Sequence, residues 1–177
     1  MNKIEKYAII IVYKENLVQT PSLEISSYKL PETIPEARNN LMARKVLQLF
    51  GVLQPFFDYN HDGDLQRTLE AHRERCLLVA TDGRLSQEEA LKGFLSYDVD
   101  LSYRSMTIHH LVVEEPARGS GVGGALMSRA ESIAEDDDLW SVNLRSTGDS
   151  VPFYAHRGYE TVDEYESMMQ LRLPRRR

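Results

Sequence analysis

The chain has 177 residues, 42% of them apolar and 27% charged, which is enough for one well-buried domain. Its formal net charge of −6 argues against a nucleic-acid-binding protein, because such proteins usually present a basic face to phosphates. No apolar run approaches the length of a membrane span, and the single cysteine, Cys76, excludes an intrachain disulfide. We therefore expect a single cytoplasmic domain with neither a nucleic acid nor a membrane as partner.

The N-terminal part of the chain predicts two strands followed by two helices. The apolar run from Tyr7 to Tyr13 is typical of a buried strand, and weak alternation predicts a second strand from Leu23 to Tyr28. Helical spacing of apolar residues predicts a helix from Glu36 to Phe50, with Gly51 as its C-terminal cap. A second helix is predicted from Asp64 to Arg75.

Three strands are predicted next, in a meander. They run from Cys76 to Thr81, from Ala90 to Asp98 and from Ser105 to Val113. We expect Cys76 to be a small buried hydrophobic residue, because free cysteines are usually buried.

The last part of the chain alternates between helices and strands. Apolar residues recur at helical spacing from Val122 to Ala134, and a strand is predicted from Leu139 to Arg145. A short helix from Val151 to His156, capped by Gly158, precedes a final strand from Met168 to Leu173. The order predicts a mixed α/β fold, in which antiparallel strands precede one βαβ crossover.

A glycine-rich loop joins the strand ending at Val113 to the helix beginning at Val122. It comprises Arg118, Gly119, Ser120, Gly121, Val122, Gly123 and Gly124. Glycines let the backbone approach a ligand closely, and the free N–H groups of a helix N-terminus favour an anion. The loop therefore predicts a phosphate or pyrophosphate site.

Two common phosphate sites do not fit this loop. Gly119, Gly121 and Gly124 match the spacing of a dinucleotide-binding fingerprint, but the next strand, Trp140 to Arg145, carries no acidic residue for a ribose. A nucleoside triphosphate loop is excluded because no Lys-Ser or Lys-Thr pair follows the glycines.

The pattern R-x-x-G-x-G from Arg118 to Gly123, with Phe153, Tyr154 and Gly158-Tyr159 further on, resembles the GCN5-related N-acetyltransferase (GNAT) family. The resemblance covers about Cys76 to Leu173. It implies one GNAT-like domain with a mostly antiparallel sheet of six to seven strands, splayed strands 4 and 5, and about four helices. Residues 1–75 would form an N-terminal strand and acceptor-side helices, residues 76–173 the acyl-CoA-binding core, and residues 174–177 a basic tail.

The resemblance also implies how acetyl-CoA, the cosubstrate, would bind. The backbone of the strand segment Leu111, Val112 and Val113 would hold the pantetheine arm, as an added strand pairs with an exposed sheet edge. The loop from Arg118 to Gly124 would hold the pyrophosphate. A strand-4 backbone N–H near Leu111 would stabilise the oxyanion.

Tyr154 matches the tyrosine of the family that donates a proton to the departing thiolate, although an aromatic side chain on a short helix is often there for packing. His109 matches a histidine base found in some members, with a packed or hydrogen-bonded structural histidine as the alternative. Strand alternation would send His109 and His110 to opposite faces, with His109 on the face of Leu111 and His110 structural. Glu114 and Glu115 are further candidate bases, although their place beside Pro116 favours a solvated turn.

The segment from Asp58 to Asp64 resembles the first half of a calcium-binding loop, but Leu69 stands where a bidentate glutamate is required. The plainer interpretation is an Asx-rich turn that caps the following helix. A third hypothesis is that these acids attract a cationic acceptor. We expect no metal.

The sequence therefore predicts an acetyl-CoA-dependent N-acetyltransferase that acts on a primary amine, with a small cationic acceptor favoured by the acidic net charge. Two alternatives stay open: a protein or peptide N-acetyltransferase, and a non-catalytic acyl-CoA-binding sensor or interaction domain. The protein is expected to be a monomer or a homodimer.

Overall fold

The structure, a computed structural model, describes residues 23–53, 58–86, 90–162 and 168–174. The predicted strand from Tyr7 to Tyr13 and the last three arginines lie outside the described residues. The described part is a mixed α/β fold built on one sheet.

Within the described ranges, seven strands form this sheet in the order β1-β2-β3-β4-β5-β7-β6. They are β1 (Leu23–Tyr28), β2 (Cys76–Asp82), β3 (Leu91–Asp100), β4 (Ser105–Val113), β5 (Ser141–Arg145), β6 (Glu160–Thr161) and β7 (Met168–Arg172). Every neighbouring pair is antiparallel except β4 and β5, which are parallel and are joined by a helical crossover. This arrangement confirms the predicted fold class.

Five helices flank the sheet in the described part of the chain. They are α1 (Ile34–Asn39), α2 (Leu41–Leu53), α3 (Asp62–Ala71), α4 (Val122–Asp136) and α5 (Val151–His156). Among the residues described, no helix is long and apolar enough to cross a membrane.

The sheet is buried on both faces because each face carries its own apolar core. Along β2, Leu78 and Ala80 join a core with α4 and α5, whereas Leu77 and Val79 join a core with α1, α2 and α3. We call these two sides the α4–α5 face and the α1–α3 face. Such double coverage explains why β2 is a nearly continuous apolar run in the sequence.

Strands β4 and β5 part midway along β4. Their parallel pairing starts with Ser105 opposite Ser141 and ends with Ile108 opposite Leu144. At the same point the pairing of β4 with β3 shifts, because Ile108 lies opposite Tyr97 and His110 opposite Ser96. The predicted splay is thus confirmed, and it coincides with a β-bulge.

The single helix predicted from Glu36 to Phe50 is wrong. Asn40 has extended backbone angles and separates α1 from α2. The Asn40 carboxamide oxygen accepts a hydrogen bond from the Ala43 N–H at 2.9 Å, so Asn40 caps the start of α2. Gly51 is not a cap, since α2 continues through it to Leu53.

The other boundaries agree with the predicted ones within two residues, except that the helix predicted from Asp64 to Arg75 ends at Ala71. The burial of Cys76 was also predicted wrongly. Cys76 is exposed, and the buried part of β2 begins one residue later, at Leu77. Gly158 ends α5 as predicted, because its φ of 88° is the left-handed conformation that a helix C-terminus often requires.

The cap of α2 yields a stability prediction. Replacing Asn40 by Ala removes the acceptor for the Ala43 N–H and also for the Tyr28 hydroxyl, which donates to it at 3.0 Å. We expect the free energy of unfolding, measured by urea denaturation, to fall by about 1 kcal/mol. Asn39→Ala is the matched control, since Asn39 is an exposed helical residue, and an equal loss in both variants would contradict the cap.

Candidate functional site

The glycine-rich loop has a conformation that glycine alone adopts easily. Gly119 and Gly121 have φ angles of 76° and 89°, and a side-chain carbon added to either would meet open space. These two residues are therefore required for backbone conformation rather than for tight packing. The Ser120 hydroxyl donates a hydrogen bond to the Ala117 carbonyl at 2.6 Å and helps to fix the loop.

Helix α4 starts in this loop with free N–H groups. Its first backbone bond runs from the Ala125 N–H to the Gly121 carbonyl, which leaves the N–H groups of Val122, Gly123 and Gly124 without a helical acceptor. Gly121 is the N-cap and offers no side chain to accept from them. Since α4 has 15 residues, its dipole adds to the attraction of an anion at this end.

The second half of β4 presents unpaired backbone groups to the gap between β4 and β5. The Glu114 N–H donates to the Lys92 carbonyl on the β3 side, so alternation turns the backbone groups of Leu111 and Val113 the other way. That side is where β5 would lie, but its pairing has already ended at Ile108. An extended ligand entering the gap meets the donors and acceptors of a strand edge.

The loop, the strand and α5 meet at Gly123. A side-chain carbon added to Gly123 would lie 3.6 Å from Val113, 3.8 Å from Phe153 and 3.9 Å from Leu111. The first turn of α4 thus lies directly beside the open part of β4, with the ring of Phe153 next to both. These residues, which the sequence placed in three separate motifs, form one continuous surface.

Tyr154 lies in the core of the α4–α5 face. It is 8% exposed, and its ring makes edge-on contacts with Phe153 at 5.0 Å and with Tyr159 at 5.8 Å between centroids. Burial raises the pKa of the Tyr154 phenol, so the group stays protonated at neutral pH and can donate a proton. Tyr154 thus has both packing and the protonation state that a general acid needs.

An ion pair fixes α5 against α4. Arg157, at the C-terminal end of α5, donates to both carboxylate oxygens of Glu131 at 3.2 and 2.6 Å, and to the Ser128 hydroxyl at 2.9 Å. Both charged side chains are mostly buried, at 19% and 17% exposed. This two-point pairing sets the position of the helix that carries Tyr154, and the sequence argument did not identify it.

His109 lies on the other side of the sheet from the one predicted. The bulge makes His109 an extra residue opposite no partner on β3, so the simple alternation of β4 is broken. Leu111 and Val113 pack on the α4–α5 face, whereas His109 and His110 lie together on the α1–α3 side, with ring centroids 6.5 Å apart. His109 therefore does not share the face of Leu111.

His110 is held in a neutral state. Its Nδ1 is 2.9 Å from the hydroxyl of the buried Ser96, and its ring packs edge-on to Phe50 at 5.2 Å. Burial first, and then the neighbouring His72, lower the pKa of His110 to about 4. At neutral pH such a group does not keep a proton taken from an amine, which agrees with the structural role predicted for His110.

The segment from Asp58 to Asp64 forms a turn. The Asn60 N–H donates to the Asp58 carboxylate at 2.8 Å, which is an Asx turn, although His61 caps α3 without any side-chain bond. Asp62 pairs with Arg38, and Asp64 pairs with Arg67. Within the described ranges, no group of three His, Cys, Asp or Glu side chains is placed to hold a metal ion.

The structure thus places most of the predicted site residues next to one another, and two polar pairs that were not predicted lie beside them. The loop from Arg118 to Gly124, the strand from Leu111 to Val113, and α5 are adjacent, while His109 approaches the gap from the opposite face. Two functional candidates were not predicted from the sequence: Arg157, and Asp98, whose carboxylate lies 2.6 Å from the His109 Nε2. For Arg157, its place at the end of the helix that carries Tyr154 was the available signal, whereas nothing local pointed to Asp98.

The chain matches a known protein family over most of its length. A family model described as an acetyltransferase (GNAT) domain matches residues 54–172, which is well over half of the chain. No curated protein sequence matches the chain significantly.

Solved structures show the same fold at low sequence identity. A GNAT-family acetyltransferase from Staphylococcus aureus Mu50 is similar with a TM-score of 0.62 and 12% identity, over 86% of this chain and 100% of that one. Tetrahymena GCN5 has a TM-score of 0.60 and 11% identity, over 86% and 96%. An aminoglycoside 6'-N-acetyltransferase complexed with coenzyme A has a TM-score of 0.60 and 19% identity, over 86% and 99%.

The pair between Arg157 and Glu131 should matter for stability. Replacing Arg157 by Met leaves the Glu131 carboxylate mostly buried without its partner, so we expect the free energy of unfolding to fall by about 1–3 kcal/mol. Lys29→Met is the control, because Lys29 forms an exposed pair with Glu32 and should cost about 0.5 kcal/mol or less. Equal losses of unfolding free energy in the two variants, measured by denaturation, would show that the pair of Arg157 and Glu131 stabilises the protein no more than an exposed pair does.

Proposed function

This chain belongs to the GNAT family of acetyltransferases and is an N-acetyltransferase, and we propose that it transfers the acetyl group of acetyl-CoA directly to the primary amine of a small cationic acceptor. The observation that carries the proposal is the meeting of two backbone sites. The uncapped N-terminus of α4 suits a pyrophosphate, and the open edge of β4 beside it suits an amide-bearing arm.

In this proposal the donor lies along β4. The loop residues from Arg118 to Gly124 bind the pyrophosphate, mainly through the N–H groups of Val122, Gly123 and Gly124. The pantetheine amides pair with the backbone of Leu111 and Val113 in the place that β5 has left. Val112, whose backbone faces β3, keeps the strand in register.

The chemistry takes place in the gap, which both faces of the sheet can reach. The amine nitrogen attacks the thioester carbon, and the resulting oxyanion accepts a hydrogen bond from a β4 backbone N–H such as that of Leu111. Collapse breaks the carbon–sulfur bond. The thiolate takes a proton from the Tyr154 phenol, and the proton lost by the amine goes to His109, directly or through water.

The two proton-transfer groups act from opposite faces. Tyr154 belongs to the α4–α5 face, whereas His109 belongs to the α1–α3 face, at the residue where β4 and β5 part. This separation suits a direct transfer, since the attacking nitrogen and the departing sulfur are different substituents of the tetrahedral carbon and each needs its own proton-transfer group. The acceptor then enters from the side of α1, α2 and α3.

The charge of the chain supports a cationic acceptor. The net charge of −6 favours association with a positively charged amine. The local contribution of the segment from Asp58 to Asp64 is reduced, because Arg38 pairs with Asp62 and Arg67 with Asp64. We therefore attribute the preference mainly to the overall field and less to this turn.

The function is tested by thiol release. Coenzyme A binding is measured first by calorimetry, and free thiol is then followed with acetyl-CoA against polyamines, aminoglycosides, amino acids and basic peptides. We expect turnover with a small polycationic amine. Turnover with peptides alone would show that the acceptor is a peptide or protein and not a small amine. Coenzyme A binding without turnover on any amine would favour an acyl-CoA-binding sensor.

The loop geometry predicts a specific loss of donor affinity. Gly121→Ala places a side chain on a residue with φ of 89°, a conformation that costs an L-residue roughly 1–2 kcal/mol. We expect the Kd for coenzyme A to rise about tenfold, because the loop must shift. Gly148→Ala is the control, since Gly148 lacks a positive φ and faces open space, and an unchanged Kd in Gly121→Ala would contradict the site.

The general-acid role predicts a loss of turnover without a loss of binding. Tyr154→Phe keeps the ring in its contacts with Phe153 and Tyr159 but removes the proton donor. We expect kcat to fall about a hundredfold, with the Kd for acetyl-CoA unchanged. Tyr159→Phe is a matched control on the same aromatic cluster, and equal turnover of Tyr154→Phe and the wild type would remove Tyr154 from the mechanism.

A further inference from the structure

A hydrogen bond joins His109 to a carboxylate on the neighbouring strand. The His109 Nε2–H donates to an Asp98 carboxylate oxygen at 2.6 Å. The His109 side chain is 25% exposed and that of Asp98 is 46% exposed, so the pair lies at the surface of the α1–α3 side. The distance is typical of a charge-assisted hydrogen bond.

The register of β3 and β4 brings this pair together. Asp98 is opposite Thr107, so their side chains lie on the same face of the sheet, and alternation returns His109, two residues further along β4, to that face. The His109 ring therefore reaches diagonally to Asp98. The bulge at His109 then places Leu111 on the opposite face.

We propose that Asp98 is a positioning residue for acetyl transfer, which holds His109 in the tautomer whose Nδ1 accepts the proton of the acceptor amine. This inference rests on the proposed function, in which His109 is the base. Neither the glycine-rich loop nor the motif around Tyr154 points to Asp98.

The chemistry of a carboxylate explains the choice of tautomer. An ionised carboxylate has no hydrogen to donate, so the nitrogen that contacts it, Nε2, must carry the proton. The lone pair of the neutral ring is then on Nδ1. When the amine gives up its proton, that proton moves to Nδ1, and the Asp98 charge stabilises the imidazolium until the proton leaves to solvent.

The other ionisable groups near His109 do not supply this charge. His110 is beside it on β4, and burial lowers the pKa values of both His110 and His72, which keeps them uncharged at neutral pH. Arg75 is a cation next to His72 and opposes the protonation of these rings. Among the residues that the structure describes, the negative charge in contact with the His109 ring is thus the one on Asp98.

A competing role for Asp98 is to bind the ammonium of the acceptor directly. The two roles differ in kinetics. Loss of an ammonium ligand raises KM for the acceptor, whereas loss of a tautomer-fixing group lowers kcat and leaves KM nearly unchanged.

The test is Asp98→Asn, with Asp100→Asn as its matched control. Asp100 is two residues further along β3 and accepts bonds from the Ser102 and Tyr103 N–H groups, which an asparagine can also do. In Asp98→Asn we expect kcat to fall about ten- to a hundredfold with KM within twofold of the wild type. Asp100→Asn should change neither.

A double mutant separates this inference from the proposed function. If Asp98 acts through His109, adding Asp98→Asn to His109→Gln causes no further loss of kcat. An additive loss, or a raised KM with unchanged kcat, overturns the positioning role. Wild-type turnover in His109→Gln instead overturns the base assignment of the proposed function.

Nitrogen NMR of His109 provides a readout that does not require turnover. In the folded wild-type protein at neutral pH we expect the neutral ring to carry its proton on Nε2, and in Asp98→Asn we expect a mixture of tautomers. The same tautomer in both proteins contradicts the role of Asp98 even if no acceptor is found. Unchanged coenzyme A affinity in the variant shows that it has folded.

Discussion

The parting of β4 and β5 after Ile108 is the constraint on which the candidate site depends. Beyond this residue the backbone groups of Leu111 and Val113 point into a gap where none of the described strands pairs with them. Backbone groups in that position need a partner, and an extended amide-bearing ligand supplies one with the geometry of a missing strand. The glycine-rich loop from Arg118 to Gly124 follows directly after β4, so the strand that borders the gap also leads into the candidate anion site.

Different side chains border the gap between β4 and β5 on the two faces of the sheet, because each face is covered by its own helices. The α4–α5 face contributes a phenol that burial keeps protonated, Tyr154. The α1–α3 side contributes histidines, of which His110 is held neutral by burial while His109 reaches toward solvent and Asp98. In the proposed mechanism, the proton donor for the leaving group and the proton acceptor for the incoming amine thus lie on opposite faces, which keeps them from exchanging a proton with each other. Closely packed cores on both faces keep this arrangement rigid.

Within this rigid arrangement, two polar pairs fix the positions of single side chains or helices. Arg157 and Glu131 tie α5 to α4 through two parallel hydrogen bonds, so the helix bearing Tyr154 is fixed at its end as well as by its apolar face. Asp98 does the same for one ring, His109, at the surface. The pair of Arg157 and Glu131 is mostly buried, so its main effect is on stability. The pair of Asp98 and His109 is more exposed, so we expect its effect in the kinetics.

Local patterns determined the element order, the loop and the family, because glycine φ angles, helix periodicity and the motif around Tyr154 depend on neighbours in sequence. The predicted strand Ser105–Val113 and helix Val151–His156 agree with the structure to the residue. Tertiary structure decided the rest. Asn40 divides a helix that periodicity joined, since its side chain caps α2. The bulge between β3 and β4 decides that His109 and Leu111 lie on different faces, and the pairing of these strands brings His109 to Asp98; neither is visible in the alternation of one strand alone.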